Sequence, residues 1–214
     1  MTDITREPDP LQMRLKSGDV EALAELFSQH RDRLWRMVNF RMDRRLLGRI
    51  DPDDVLQEAY LGAAQRIAHY NDDLSLSPFV WLRIVLMQTM TDIHRHHLGA
   101  QMRDANREVK LRNYGYPQTT SVSLAAQFIG KFTSPSQVAA REEMFGQLEK
   151  AVAGMDPLDQ EVLALRHFEE LSNSEVAEVL KIQQKAASIR YIRALKRLKT
   201  ALSRMPGYFE GFLT

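Results

Sequence analysis

From Leu171 to Leu202 the chain reads LSNSEVAEVLKIQQKAASIRYIRALKRLKTAL, and this stretch constrains the fold more than any other. Ala187, Tyr191, Ala194, Leu195, Leu198 and Leu202 recur at i, i+4, i+7, i+8, i+11 and i+15, so one stripe of a long helix is buried. The S-x-x-E box from Ser172 to Glu175 opens a shorter helix ahead of it, over about 174–180, that turns Val176, Ala177 and Leu180 inward. A turn of three to four residues joins the two, and the small Ala177 lets the second helix approach closely. The pattern predicts a helix-turn-helix.

Charge points the same way once it is read locally. The formal net charge is only +1, yet Lys181 to Arg204 holds eight Lys or Arg and no acid, while Asp51 to Glu58 holds four carboxylates and no base. A solvated helix usually mixes signs for i,i+4 support, so a purely basic one suits a polyanion. Opposite the buried stripe lie Lys185, Ser188, Ile189, Ile192, Arg193 and Lys196. Gln184, Lys185 and Ser188 are the candidates for base edges in a major groove, with Ile189 suited to a thymine methyl. Arg190, Arg193, Lys196 and Arg197 are the candidates for phosphate contacts.

Elsewhere the apolar spacing is also helical, as in Leu23, Leu26, Phe27, Leu34, Met37 and Val38, and no segment alternates with period two. The expected fold class is all-α. Ser77 before Pro78 and Asp156 before Pro157 mark further helix starts. Residues 101–137 lose the pattern and collect Asn113, Gly115, Pro117, Gly130 and Pro135, which predicts a linker with a short helix near Leu124–Ile129. Two helical domains, 11–100 and 138–205, flank it, and an aromatic tail follows at 206–214. With 214 residues and 44% apolar content the chain can pack two small cores. It has no cysteine, no export signal at Met1–Pro10 and no uninterrupted apolar span, so the expectation is a cytoplasmic protein without membrane contact.

In the first domain, DPDDVLQEAYLGAAQRIAHY predicts a helix with Leu56, Ala59, Tyr60, Ala63 and Ile67 inward. Asp54, Gln57, Glu58 and Leu61, at i, i+3, i+4 and i+7, form an acidic patch with an apolar rim, suited to a basic partner. Acids also gather at helix N-termini simply because the dipole favours them there. After Pro78, FVWLRIVLMQTMTDIHRHHLG is too apolar for a surface helix and must be central. It ends in His94, Arg95, His96 and His97, which read as a phosphate-facing cluster, since no carboxylate or HExxH partner pattern supports a metal.

Together these motifs resemble the sigma-70 family, in particular its small extracytoplasmic-function group, which keeps only the second and fourth sigma regions. The resemblance spans about Leu11 to Leu202. Asp54, Gln57, Glu58 and Tyr60 match the family's acidic docking core, and Trp81, Leu82, Asp92 and Arg95 match its next signature. Leu171, Ser172, Glu175, Val176, Ala177, Arg190, Arg193, Ala194, Lys196, Arg197 and Leu198 match the last region.

The resemblance implies a promoter-specificity subunit without enzymatic activity or cofactor. Region 2 would dock on core RNA polymerase through Asp54, Gln57, Glu58 and Leu61. It would meet the −10 element and the melted non-template strand through Arg83, Gln88, Arg95, His96 and His97, with the loop His69–Ser77 holding flipped bases. Region 4 would bind the double-stranded −35 element, and an anti-sigma factor is a possible further partner. Gln88 stands where many members carry Asn, Lys181 where the turn usually has Gly, and Ser188 and Ile189 where more polar or basic residues are common. The linker of 37 residues exceeds a minimal tether. Three other readings stay open at this level. One is a helix-turn-helix regulator that does not join polymerase, another is a hydrolase or metal enzyme built on the histidines and nearby acids, and the third is a purely protein-binding helical adaptor.

Overall fold

The computed structural model describes residues 10–43, 45–72, 76–98, 121–132 and 138–203. Every regular element among them is helical, and the sole pairing of strand type is an isolated bridge between Leu47 and Ile50. The chain divides into two compact units between Pro117 and Gln118. No helix among the described residues is long and apolar enough to cross a membrane.

The first unit contains α1 (Pro10–Lys16), α2 (Val20–Arg41), α3 (Pro52–Arg66), a 3-10 turn (Ile67–Asp72) and α4 (Pro78–Leu98). Local chemistry sets the starts. The Asp19 carboxylate accepts from the Glu21 and Ala22 amides at 2.9 and 3.2 Å, and Asp51 accepts from Asp53 at 2.9 Å ahead of α3. Each such cap is worth about 1 kcal/mol. α4 is central, as its composition demands, with twelve of its residues buried, Val80, Leu82, Leu86 and Met90 among them. α2 and α3 pack Leu23, Leu34, Val38, Leu56, Ala59 and Ala63 around it. Tyr70 of the 3-10 turn sets its ring edge-on to Trp81 at 5.1 Å and fixes the entry to α4. At the far end of α4, His94 turns into the core, where its Nε2 accepts the Asp43 amide at 3.3 Å and ties the end of α2 to α4.

The second unit contains α5 (Ser121–Phe132), α6 (Val138–Ala153), α7 (Pro157–His167), α8 (Asn173–Leu180) and α9 (Gln184–Leu202). The segment expected as a linker, 101–137, is therefore divided. Residues 101–120 lie outside the described residues, whereas α5 is part of the second unit. Leu124, Ala125 and Phe128 are buried, and the Phe128 ring meets Phe168 at 5.2 Å and His167 at 6.1 Å. The short helix expected near Leu124–Ile129 is present and runs from Ser121 to Phe132; its membership of a packed core was what the Gly, Ser and Pro neighbours hid. The tail 206–214 and Arg204 also lie outside the described residues.

α8 starts at a complete capping box: Ser172 Oγ accepts the Glu175 amide at 3.2 Å, and Glu175 Oε2 accepts the Ser172 amide at 2.6 Å. It stops at Lys181, which takes the left-handed conformation (φ 53°, ψ 45°) in place of the usual glycine. The Ile182 amide then reaches back to the Ala177 carbonyl at 3.0 Å and closes the turn. A left-handed L-residue costs roughly 1–2 kcal/mol, and a glycine costs roughly 0.5–1 kcal/mol in chain entropy. Lys181→Gly is therefore expected to stabilise the second unit by about 0.5–1 kcal/mol, read as a rise in its thermal midpoint; an unchanged or lower midpoint contradicts the strain.

His94 supplies a second test. Burial pushes its imidazole below the ordinary 6.5, an effect that Arg45 reinforces and Asp43 opposes. Asp43 itself is held down to about 2, chiefly by its hydrogen bond with Arg45. An unfolded chain then takes up the His94 proton more readily than the folded one. The corresponding stability is complete above the unfolded value near 6.5 and is lost as pH falls below it. The urea midpoint of the first unit should drop between pH 7.5 and 5.5. His94→Gln, whose amide oxygen also accepts the Asp43 amide but does not titrate, should flatten that drop.

Candidate nucleic-acid interface

α9 presents two adjacent exposed ridges beside its buried stripe of Ala187, Ala194, Leu198 and Leu202. The outermost ridge carries Lys185, Ile189, Ile192 and Lys196, at i, i+4, i+7 and i+11, and all four are exposed. Gln184 is exposed at the helix start. Ser188 is only half-exposed, and its hydroxyl donates to the Gln184 carbonyl at 3.1 Å, which leaves its lone pairs rather than its proton for a ligand. Tyr191 seats the opposite side: its hydroxyl lies 3.2 Å from His167 Nε2, and Arg166 sits over its ring at 5.1 Å.

The second ridge carries Arg190, Arg193 and Arg197, and here the structure amends the sequence reading. All three guanidiniums converge on Asp159, the third residue of α7, whose side chain has 0% exposure. Arg193 is bidentate, with Nε to Oδ2 at 3.1 Å and Nη2 to Oδ1 at 2.9 Å. Arg190 Nη1 and Arg197 Nη1 reach Oδ1 and Oδ2 at 3.1 and 3.3 Å. Burial alone raises the Asp159 carboxyl, but the hydrogen bonds and charges of Arg193 and Arg190 outweigh it and hold the group below the usual carboxylate range. The arginines are thus structural ties between α7 and α9 first. They remain 30 to 49% exposed, and against Asp159 and the looser Asp156, 3.7 Å from Arg190, the three cations still leave a positive surface. Asp159 escaped the sequence reading because an acid two residues after Pro157 looks like any first-turn acid favoured by the helix dipole.

In the first unit, Asp54, Gln57, Glu58 and Leu61 all point outward from α3, with Leu61 54% exposed. Asp53 beside them pairs with Arg31 of α2 at 2.7 Å, an exposed pair of little energetic weight. The α4 candidates separate. Gln88, Arg95, His96 and His97 are exposed, and Arg66 donates to the Gln88 side-chain oxygen. Arg95 lies 3.7 Å from Asp92, and the His96 and His97 rings are 4.8 Å apart. Arg83, expected at the −10 DNA, is corrected: it has 0% exposure and is a core residue of α4. Its position in a helix buried nearly all round explains the difference, since a long side chain there has no route to the surface. His94 likewise leaves the histidine cluster for the core. Of the loop His69–Ser77, residues 73–75 lie outside the described residues, and Tyr70 is buried against Trp81 rather than presented for stacking. Among the described residues no group of three His, Asp or Glu is arranged to hold a metal ion.

Comparison with known proteins maps onto these two units. Residues 26–98 match the family model Sigma-70 region 2, and residues 151–200 match Sigma-70, region 4, together more than half of the chain. The chain is 20% identical over 194 residues to the ECF RNA polymerase sigma factor SigW of Bacillus subtilis (strain 168), covering 88% of this chain and 93% of that protein. A solved structure of CnrH in complex with the cytosolic domain of CnrY aligns with a TM-score of 0.49 and 21% identity, over 90% of this chain and 95% of that one.

The Asp159 cluster gives a direct test of how α9 is held. Removing one partner of a fully buried pair costs about 3–5 kcal/mol, but water screens these half-exposed arginines. Asp159→Ala is therefore expected to destabilise the second unit by about 1–3 kcal/mol. The loss should exceed that of Lys196→Ala, whose ammonium makes no ion pair among the described residues. Equal denaturation midpoints for the two variants would contradict a tie between α7 and α9.

Proposed function

The chain belongs to the sigma-70 family, and from that premise we propose that it is a promoter-specificity subunit of bacterial RNA polymerase, of the extracytoplasmic-function group. One observation carries the proposal. Each matched region presents an exposed surface of opposite character, acidic with an apolar rim on α3 and basic on α9. A specificity subunit needs both, one for the enzyme and one for the DNA.

On this reading Asp54, Gln57, Glu58 and Leu61 dock on core polymerase, the carboxylates facing basic groups and Leu61 supplying the apolar contact that desolvation rewards. Gln88, Arg95, His96 and His97 meet the −10 DNA, where the amide and imidazoles offer hydrogen bonds to bases and phosphates. The melted non-template strand is held by offsetting lost pairing with stacking and edge contacts. α9 enters the major groove of the −35 element, with Gln184, Lys185 and Ser188 toward bases and Lys196 toward phosphate. Arg190, Arg193 and Arg197 add to phosphate affinity through the faces that Asp159 leaves solvated. The chain itself catalyses nothing, needs no cofactor, and acts in the cytoplasm with polymerase. An anti-sigma factor that covers one of the two surfaces is a further partner on the same reading.

The test is in vitro transcription with core polymerase, this chain and fragmented genomic DNA, followed by sequencing of the 5′ ends. Starts that require the chain and share upstream sequence are expected. A regulator that binds DNA without joining polymerase directs none. Glu58→Arg should lower the affinity for core polymerase about tenfold or more, while the salt-dependent DNA binding of the full chain stays unchanged. Retained polymerase affinity contradicts the docking assignment on α3.

A further inference from the structure

Most of the exposed surface of α9 is basic, and its outermost ridge is interrupted by two large aliphatic side chains. Ile189 and Ile192 are 55% and 53% exposed, one turn apart, between Lys185 and Lys196. Leaving about half of each side chain in water forgoes roughly 0.8–1.5 kcal/mol of burial apiece, so an occupant is expected to cover them. Charge identifies that occupant. The ridge is bounded along the helix by two lysines and beside it by the three arginines, and the chain holds no acid from Lys181 to Arg204. A protein surface docking there would have to be strongly acidic around an apolar centre, whereas a DNA major groove offers phosphate walls and, wherever thymine occurs, a methyl group on its floor.

Asp159 sharpens the assignment. Its hydrogen bonds draw Arg190, Arg193 and Arg197 toward α7, to one side of the helix, so the cations that reach farthest are turned off the outermost ridge. What remains on that ridge to meet base edges is short and apolar between the two lysines. Isoleucine is stiff at χ1, so the methyl surface it presents is fixed by the helix. Residues at i and i+3 hold their Cβ atoms about 5–6 Å apart, comparable to one or two steps of about 3.4 Å along a duplex strand.

We infer that Ile189 and Ile192 are specificity-determining residues that read thymine methyls, so that the upstream promoter element of this chain carries neighbouring thymines. The inference rests on the proposed role of α9 at the −35 element, and deepens it by naming the bases.

The experiment begins with selection of duplexes from a pool randomised across the upstream element, using the full chain with core polymerase. Selected duplexes are then remade with deoxyuridine for thymine, which removes only the methyl. Enriched thymines are expected. Affinity of the wild-type complex should fall roughly fourfold for each contacted methyl removed. The doubly substituted Ile189→Ser, Ile192→Ser chain should bind both duplexes alike with the salt slope unchanged. An Ile189→Val, Ile192→Val chain should keep the discrimination. Because both side chains are exposed, these variants leave the packed stripe intact.

Three results overturn the inference: a wild-type complex indifferent to the missing methyls, a serine variant as sensitive as the wild type, or a serine variant that loses affinity for polymerase instead. The last would make the ridge a protein contact. If the wild-type chain still directs initiation while ignoring the methyls, this inference fails alone. If it directs no initiation at all, the specificity-subunit reading fails and takes this one with it.

Discussion

The geometry of the second unit depends on a single buried carboxylate. Asp159 sits at the start of α7 with no exposure, and the three arginines that satisfy it all belong to α9. A lone buried carboxylate is strongly unfavourable, so Asp159 is tolerable only where α9 lies against α7 in this register. The apolar stripe of Ala187, Ala194 and Leu198 supplies adhesion but little orientation, because hydrophobic burial is nearly direction-free. Four hydrogen bonds of 2.9 to 3.3 Å supply the orientation. Whether they add net stability is a separate matter. Their clearer effect is to make other placements of α9 costly.

The same device recurs at smaller scale in the first unit. Asp43 is bound by Arg45, while its own amide is accepted by His94 of α4, so a connection that follows a long helix is pinned to the central one. Both cases place an ionic or polar tie where two helices must meet at a defined point. Both leave the broad surfaces, the α3 ridge and the α9 ridge, without internal duties. Function then falls to side chains that the fold does not need.

This division explains what was legible in the sequence. Helix starts were readable because capping is local: Asp51, Asp156 and Ser172 act on amides two or three residues away. The buried stripe of α9 and the central character of α4 were readable because periodicity and apolar density report burial directly. Three features were not. Arg83 looked like a surface cation because charge implies exposure on average, and only the packing around α4 reverses that. A short helix near Leu124–Ile129 was expected, but the place of α5 in the second unit's core was hidden because its apolar face is short and its flanks are rich in turn residues. The Asp159 cluster joins residues more than thirty positions apart, and no local pattern distinguishes a first-turn acid that serves the dipole from one that receives three arginines. For the interfaces, the ridge on α3 was readable as a set because i, i+3, i+4 and i+7 is itself a helical face. The assignment of the arginines to phosphate alone was incomplete for the same reason that Asp159 was invisible.

The tie to Asp159 also changes how selectivity should be apportioned along α9. Phosphate contacts are common to every duplex, so they raise specific and non-specific affinity together and weaken together as salt increases. A promoter competes with the rest of the genome, and the quantity that matters is the ratio of the two affinities. If α9 binds DNA as proposed, arginines drawn toward Asp159 contribute to the common part with reduced reach, which would lower the non-specific background. On the proposed reading the groups that remain on the outermost ridge meet base edges, where apolar contacts are insensitive to ionic strength. On that reading a helix with fewer fully extended cations and a fixed aliphatic centre would lose absolute affinity but retain discrimination as salt rises, and the buried carboxylate on the neighbouring helix would produce that balance.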